Sequence, residues 1–317
     1  MRPIPILLSA AFATALVAQP AGEFANGKIF FSVKIRGETT SYRELAVTVL
    51  PEVAMPVEVA ASPRDTLFEV SAASGSLRST GPGEWTWTAP SEPGLYPLTI
   101  RSIATGQSMR LNVFVLVPLT KLRDGMLNGY RIDSYPAIPL KGLEIYKRPR
   151  GFIEVTEANV DTPVSPHFTL RQFLCKQSGG YPKYVVLRER LLLKLELLLE
   201  QVNGAGIRCD TFHVMSGYRT PYYNRSIGNV KYSRHVYGGA ADIFVDEQPR
   251  DGTMDDLNRD GKIDVEDAGV LYDVIDGLYG AGAYKPFAGG LGRYKTTSAH
   301  GPFVHVDVRG FRARWGD

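Results

Sequence analysis

The sequence predicts an all-β module at 23–118 followed, across a strap at 119–164, by an α+β domain at 165–317. Three observations carry this expectation. Short β-prone runs alternate with Gly, Pro and Ser clusters through the first part. Apolar residues then recur at helical spacing, with Leu187, Leu191, Leu195, Leu198 and Val202 near one face. Strand-like apolar segments follow it, around 212–215 and in GPFVHVDV at 301–308. A chain of 317 residues with 44% hydrophobic content suits about two domains with ordinary cores.

The N-terminus reads as an export signal over 1–22. Arg2 precedes an apolar run at 4–17, and Ala13, Ala15 and Ala18 supply small residues near the expected cleavage point. That run is shorter than the ~20 residues needed to cross a bilayer. The mature chain is therefore expected to carry no membrane span and to be periplasmic or secreted. Cys175 and Cys209, the two cysteines, flank one predicted helix, and an exported compartment permits a disulfide between them.

From 28 to 117 the runs KIFFSVKI, LFEVSA, EWTWTA, YPLTI and LNVFVLV are spaced as in an immunoglobulin-like sandwich. Trp85 and Trp87, at period two, suit core or rim packing better than a sugar-stacking platform. The strap is rich in Pro, Gly and Tyr and lacks sustained periodicity. After it, a helix is expected within 183–202, and the strand at 212–215 leads into the loop SGYRTP, where functional groups are commonly displayed.

Net charge is +3, but 246–276 holds eleven acidic against three basic residues, so the rest of the chain carries +11. That excess suits either attraction to anionic cell-wall polymers or plain solubility. No nucleic-acid motif is present.

The chemistry concentrates in SRHVYGGAAD at 233–242 and a lone HVD at 305–307. His235, Asp242 and His305 form a donor set suited to hydrolytic zinc, which keeps three protein ligands and an open position for water. Gly238 and Gly239 allow a tight turn between the first two ligands. These residues resemble the zinc D-Ala-D-Ala carboxypeptidases and murein endopeptidases, which share a fold with the hedgehog signalling domain. Ser233, His235, Gly238, Ala240, Asp242 and His305 fill the family's pattern, and SGYRTPYYN at 216–224 resembles its upstream segment. The resemblance covers 165–315 and implies a zinc peptidase acting on peptidoglycan peptides.

It also implies a substrate-binding role for Arg219, whose planar fork suits a peptide carboxylate or carbonyl. Ser233 and Tyr218 are expected to hydrogen-bond substrate or backbone. The family's general base, a Glu or His two or three residues before the last ligand, is missing: Phe303 and Pro302 stand there. His300 or Asp307 would take the role, with Asp307 alternatively orienting a ligand. A non-catalytic, metal-stabilised wall-binding protein is the rival reading.

A second metal signal is DLNRDGKIDVED at 256–267. Asp256, Asn258, Asp260, Lys262 (through its carbonyl), Asp264 and Asp267 occupy the ligand positions of an EF-hand-type calcium loop, with Gly261 at its turn. Asp267 departs from the usual Glu. A calcium-stabilised insertion at 246–276 is expected, with a calcium-dependent interaction protein as a third reading.

Overall fold

The computed structural model describes residues 24–60 and 67–316, and the export segment expected at 1–22 lies outside them. The first strands are β1 (Lys28–Ile35), β2 (Glu38–Tyr42), β3 (Glu44–Val49), β4 (Ala54–Ala60), β5 (Phe68–Ala72), β6 (Ser76–Gly81), β7 (Glu84–Thr88), β8 (Gly94–Ser102) and β9 (Ser108–Val115). They form two sheets, ordered β2-β1-β4-β7-β6 and β3-β9-β8-β5. Period-two alternation buries Phe31, Val33 and Ile35 on β1, and these join Leu98, Ile100, Leu111 and Val113 of the other sheet in one core. Trp87 is buried there with its Nε1 donating to the Ser74 carbonyl, and Trp85 packs against the same core.

The following segment is packed, although its sequence lacks periodicity. β10 (Val117–Pro118) pairs with β13 (Gly151–Val155), and β11 (Met126–Leu127) with β12 (Tyr130–Arg131). Ile132, Tyr135 and Tyr146 from this strap share a second core with Tyr184 and Tyr237. β14 (Pro163–Ser165) and β15 (Phe168–Thr169) then pair with each other, and β16 (Lys183–Val185) adds to β13. The helix expected from 183 therefore begins later, as α1 (Glu189–Gly204), because 183–185 is spent on strand pairing.

α1 buries Leu191, Leu195, Leu198 and Val202 as the spacing predicts, and Leu192, Leu193 and Leu199 besides. It is buried on several faces because β2, β3 and β14 lie against it on one side and the C-terminal helix on another. Each fully buried leucine contributes roughly 1.5–3 kcal/mol.

Beyond α1 come β17 (His213–Ser216), α2 (Pro221–Ser226), β18 (Ala240–Phe244), α3 (Val265–Asp276), β19 (Gly290–Tyr294), β20 (Phe303–Asp307) and β21 (Ala313–Gly316). The five strands form one sheet ordered β17-β18-β20-β19-β21, with α3 packed on β19 and β20. Cys175 and Cys209 are both free thiols, contrary to the expected disulfide. Each is buried in its own surroundings, with Cys209 Sγ donating to the Thr211 carbonyl. No helix among the described residues is long and apolar enough to cross a membrane.

Candidate metal centre

One row across the C-terminal sheet builds the site. Ser216 on β17 pairs with Asp242 on β18, Asp242 with His305 on β20, His305 with Gly292 on β19, and Gly292 with Trp315 on β21. Residues directly opposite in a ladder place their side chains on the same face, which brings Asp242 and His305 together across 63 residues of chain. Gly292 clears room for the Trp315 indole: a Cβ there would lie 2.3 Å from its Nε1. The indole in turn sits beside the His305 ring, at 5.2 Å between centroids.

His235 arrives from outside the row, on the 3₁₀ turn Arg234–Tyr237 that leads into β18. Gly238 ends this turn at φ +64, and a Cβ would meet the Val186 carbonyl at 2.3 Å. The Gly217 carbonyl, which can only accept, holds His235 Nδ1 at 2.7 Å and leaves Nε2 with its lone pair. Nε2 lies 3.2 Å from His305 Nδ1 and 3.2 Å from Asp242 Oδ1, and the last two are 2.8 Å apart. Metal–nitrogen and metal–oxygen bonds of ~2.0–2.1 Å at tetrahedral angles require edges near ~3.3 Å, which the two edges from His235 match while the Asp242–His305 edge is shorter. Among the described residues, it is the one group of three or more His, Cys, Asp or Glu side chains with ligand atoms mutually within 4.8 Å.

All three ligands are buried. Burial pushes the His235 pKa down, which favours the neutral ring a metal needs. Burial alone would raise the Asp242 carboxyl, but the facing His235 and His305 rings hold it well below its usual range.

A second layer orients the ligands. Arg219 donates through Nη2 to Asp242 Oδ2 at 2.5 Å and through Nε to Ser216 Oγ at 2.8 Å. On the far side of His305, Nε2 faces Asp307 Oδ2 at 3.4 Å. Asp307 is fully buried, accepts from the Gly290 and Arg309 backbone amides, and pairs with the Arg309 guanidinium. Burial alone would raise its pKa, but His305 and Arg309 hold the carboxyl far below its usual range. Asp307 therefore sits on the nitrogen that points away from the cluster and orients His305, the alternative to its acting as base. Sequence reasoning missed Arg309 and Trp315; the two-residue spacing of Asp307 and Arg309 was the available signal for the first.

The cluster lies in a cleft of about 930 Å³. Arg219, Ser233 and His300 line it; His300 is half-buried, with Nδ1 donating to the Gly301 carbonyl. Besides Asp242, His235 and His305, His300 is the one imidazole or carboxylate residue among the described lining residues. Tyr218 is not among them: it is buried, and its hydroxyl shares a 2.7 Å hydrogen bond with that of Tyr135 on the strap. A direct substrate contact by Tyr218 is thereby corrected. Its buried hydroxyl is held well above the usual pKa by burial.

The calcium set is not gathered. Asp267 is fully buried and spends its carboxylate on the backbone amides of Leu257, Asn258 and Asp264. Asp256 accepts from Asp260 and Gly261, Asp260 from Lys262, and Asp264 caps α3 through Glu266. Asn258 Oδ1 accepts from the Asp260 amide. A second metal centre in this loop is thus not supported.

A buried His/Asp/His triangle at the floor of an open cleft defines a candidate hydrolytic metal centre. Residues 166–265 are similar to the family model described as Peptidase M15, a similarity that supports a zinc-dependent metallopeptidase. The match contains His235 and Asp242 and ends before His305. No curated protein matches the chain.

Proposed function

We propose that this protein is a periplasmic or secreted zinc peptidase that cleaves peptidoglycan stem peptides or their cross-links, as a D-Ala-D-Ala carboxypeptidase or murein endopeptidase. The observation that carries the reading is the His235–Asp242–His305 triangle opening into the cleft. Zinc, when bound, would lower the pKa of a water and polarise the scissile carbonyl. Asp307 holds His305 in register, and Arg219 holds Asp242.

His300 is the candidate for proton transfer in this reading, since it lines the cleft while Asp307 is buried behind His305. Lys176, Arg219, Lys231 and Arg309 also line the cleft, with Asp242 the one carboxylate among its described lining residues. That balance favours peptides carrying free carboxylates. The N-terminal sheets, read as an immunoglobulin-like sandwich, would position the peptidase part on the wall.

The test is mass spectrometry of peptidoglycan digested with the zinc-loaded protein beside His235→Ala. Loss of terminal D-Ala or opened cross-links from the native protein alone is expected. Identical products from both would replace the peptidase with the non-catalytic wall-binding protein.

A further inference from the structure

The strap lies outside the family match, yet it grips the two segments that carry the site. Its Tyr135 hydroxyl meets Tyr218, the neighbour of Arg219. Its Tyr146 reaches the turn that presents His235. The Tyr146 ring meets Tyr232 and Tyr237 edge-on, at 5.7 and 5.6 Å between centroids. Between these flanks, the Arg234 guanidinium lies 4.0 Å from the Tyr146 ring centroid.

Arg234 is an unusual cation. It is 4% exposed, and its Nε and Nη1 have no hydrogen-bond partner among the described residues. Its Nη2 donates to the carbonyl of Ile145, the residue before Tyr146, at 2.6 Å. Arg188 donates to the same carbonyl and to that of Tyr237, tying the end of the turn to the strap as well. A desolvated guanidinium gains more from an aromatic face than an exposed one does. The Tyr146 ring at 4.0 Å, with the Tyr237 ring farther off at 5.5 Å, and the Ile145 carbonyl therefore supply the contacts that keep Arg234 in place, and Arg234 directly precedes His235.

We propose that Tyr146 is a positioning residue for the metal centre: its ring seats Arg234 and so fixes the turn that aims His235 Nε2 at Asp242 and His305. The strap is by this account part of the site's frame. The inference rests on the zinc reading above, but its test does not depend on hydrolysis.

The experiment measures zinc affinity of the full chain by competition with a chromophoric chelator, on protein whose fold is checked by circular dichroism. Supports of metal ligands are worth ~10–100-fold in affinity. Tyr146→Ala and the volume-retaining Tyr146→Leu should both weaken zinc binding within that range. Tyr146→Phe, which keeps the ring, should bind as the wild type. Tyr130→Ala removes a tyrosine of the same core that has no ring contact with 232–237, and should lower the melting midpoint without changing zinc affinity.

Wild-type affinity in folded Tyr146→Leu overturns the proposal, as does equal weakening by Tyr130→Ala. A wild type that takes up zinc but cleaves no peptidoglycan removes the peptidase reading and leaves this measurement standing.

Discussion

The triangle at His235, Asp242 and His305 and the acidic loop at 256–267 each carry a metal-ligand pattern in the sequence, one spread over 70 residues and one confined to twelve, and the fold treats them oppositely. In the triangle, each donor is held from behind: Gly217 on His235, Arg219 on Asp242, Asp307 on His305. The atoms left over face one another. In the loop, the carboxylates are consumed by backbone amides of the loop itself. What separates the two is the direction of support. A donor braced from outside keeps its lone pair for a metal, whereas a donor that braces its own backbone does not.

The largest effect should come from breaking the triangle. Asp242→Ala removes one vertex and leaves Arg219 Nη2 without its carboxylate acceptor. Metal catalysis supplies several kcal/mol of transition-state stabilisation, so hydrolysis should fall by ~10³-fold or more. Zinc per folded chain, measured by mass spectrometry under native conditions, should fall with it. Full zinc occupancy in this variant would break the comparison at its strong end.

Support from beneath the sheet is read in the pH dependence of stability. Lys194 on α1 is fully buried and donates from Nζ to the Asp307 carbonyl at 2.8 Å. Burial lowers its pKa from 10.5 to about 7. Between those values the unfolded chain binds the proton and the folded chain releases it, so stability rises with pH from about 7 towards 10.5. The rise should amount to roughly 2–4 kcal/mol. Urea unfolding from pH 7 to 10 should show it in the wild type and a flatter profile in Lys194→Met. Parallel profiles would mean that Lys194 keeps its proton in the folded protein.

Asp307→Asn tests bracing against proton transfer. Loss of a carboxylate behind a ligand should weaken zinc binding ~10–100-fold, with activity recovering as zinc is raised. Retained zinc affinity with activity that excess zinc does not restore would return Asp307 to the role of base.

Much of the strong site was legible in the sequence, because glycine at 238 and the residue types of SRHVYGGAAD state a local geometry. The strand carrying HVD was legible from its apolar alternation. The pairing of Asp242 opposite His305 was not, since register between strands 63 residues apart depends on the whole sheet. The position of Tyr218 was not legible either, for a different reason: Ser216 and Arg219 of its motif line the cleft, but Tyr135 of the strap covers its hydroxyl. The strap itself gave no periodic signal because its buried tyrosines pack from a two-residue strand (Tyr130), an irregular segment (Tyr135) and a short 3₁₀ segment (Tyr146). In 256–267 the spacing was visible, but whether a carboxylate faces a cation or an amide is settled by loop closure.

The smallest effect should come from the weak end of the comparison, and it decides what the loop is for. Asp267 accepts three backbone amides and forms a reciprocal cap with Asp264 at the start of α3. Such caps and charged acceptors are worth ~1–2 kcal/mol. Asp267→Ala should therefore lower stability by about that amount, read by thermal unfolding in chelator and again in calcium. A loss already complete in chelator means the carboxylate serves the fold, as Asp307 serves His305, and α3 is anchored to β19 and β20 without an ion. A loss appearing only in calcium would make the loop a second metal centre, and bracing from outside would cease to distinguish the two regions.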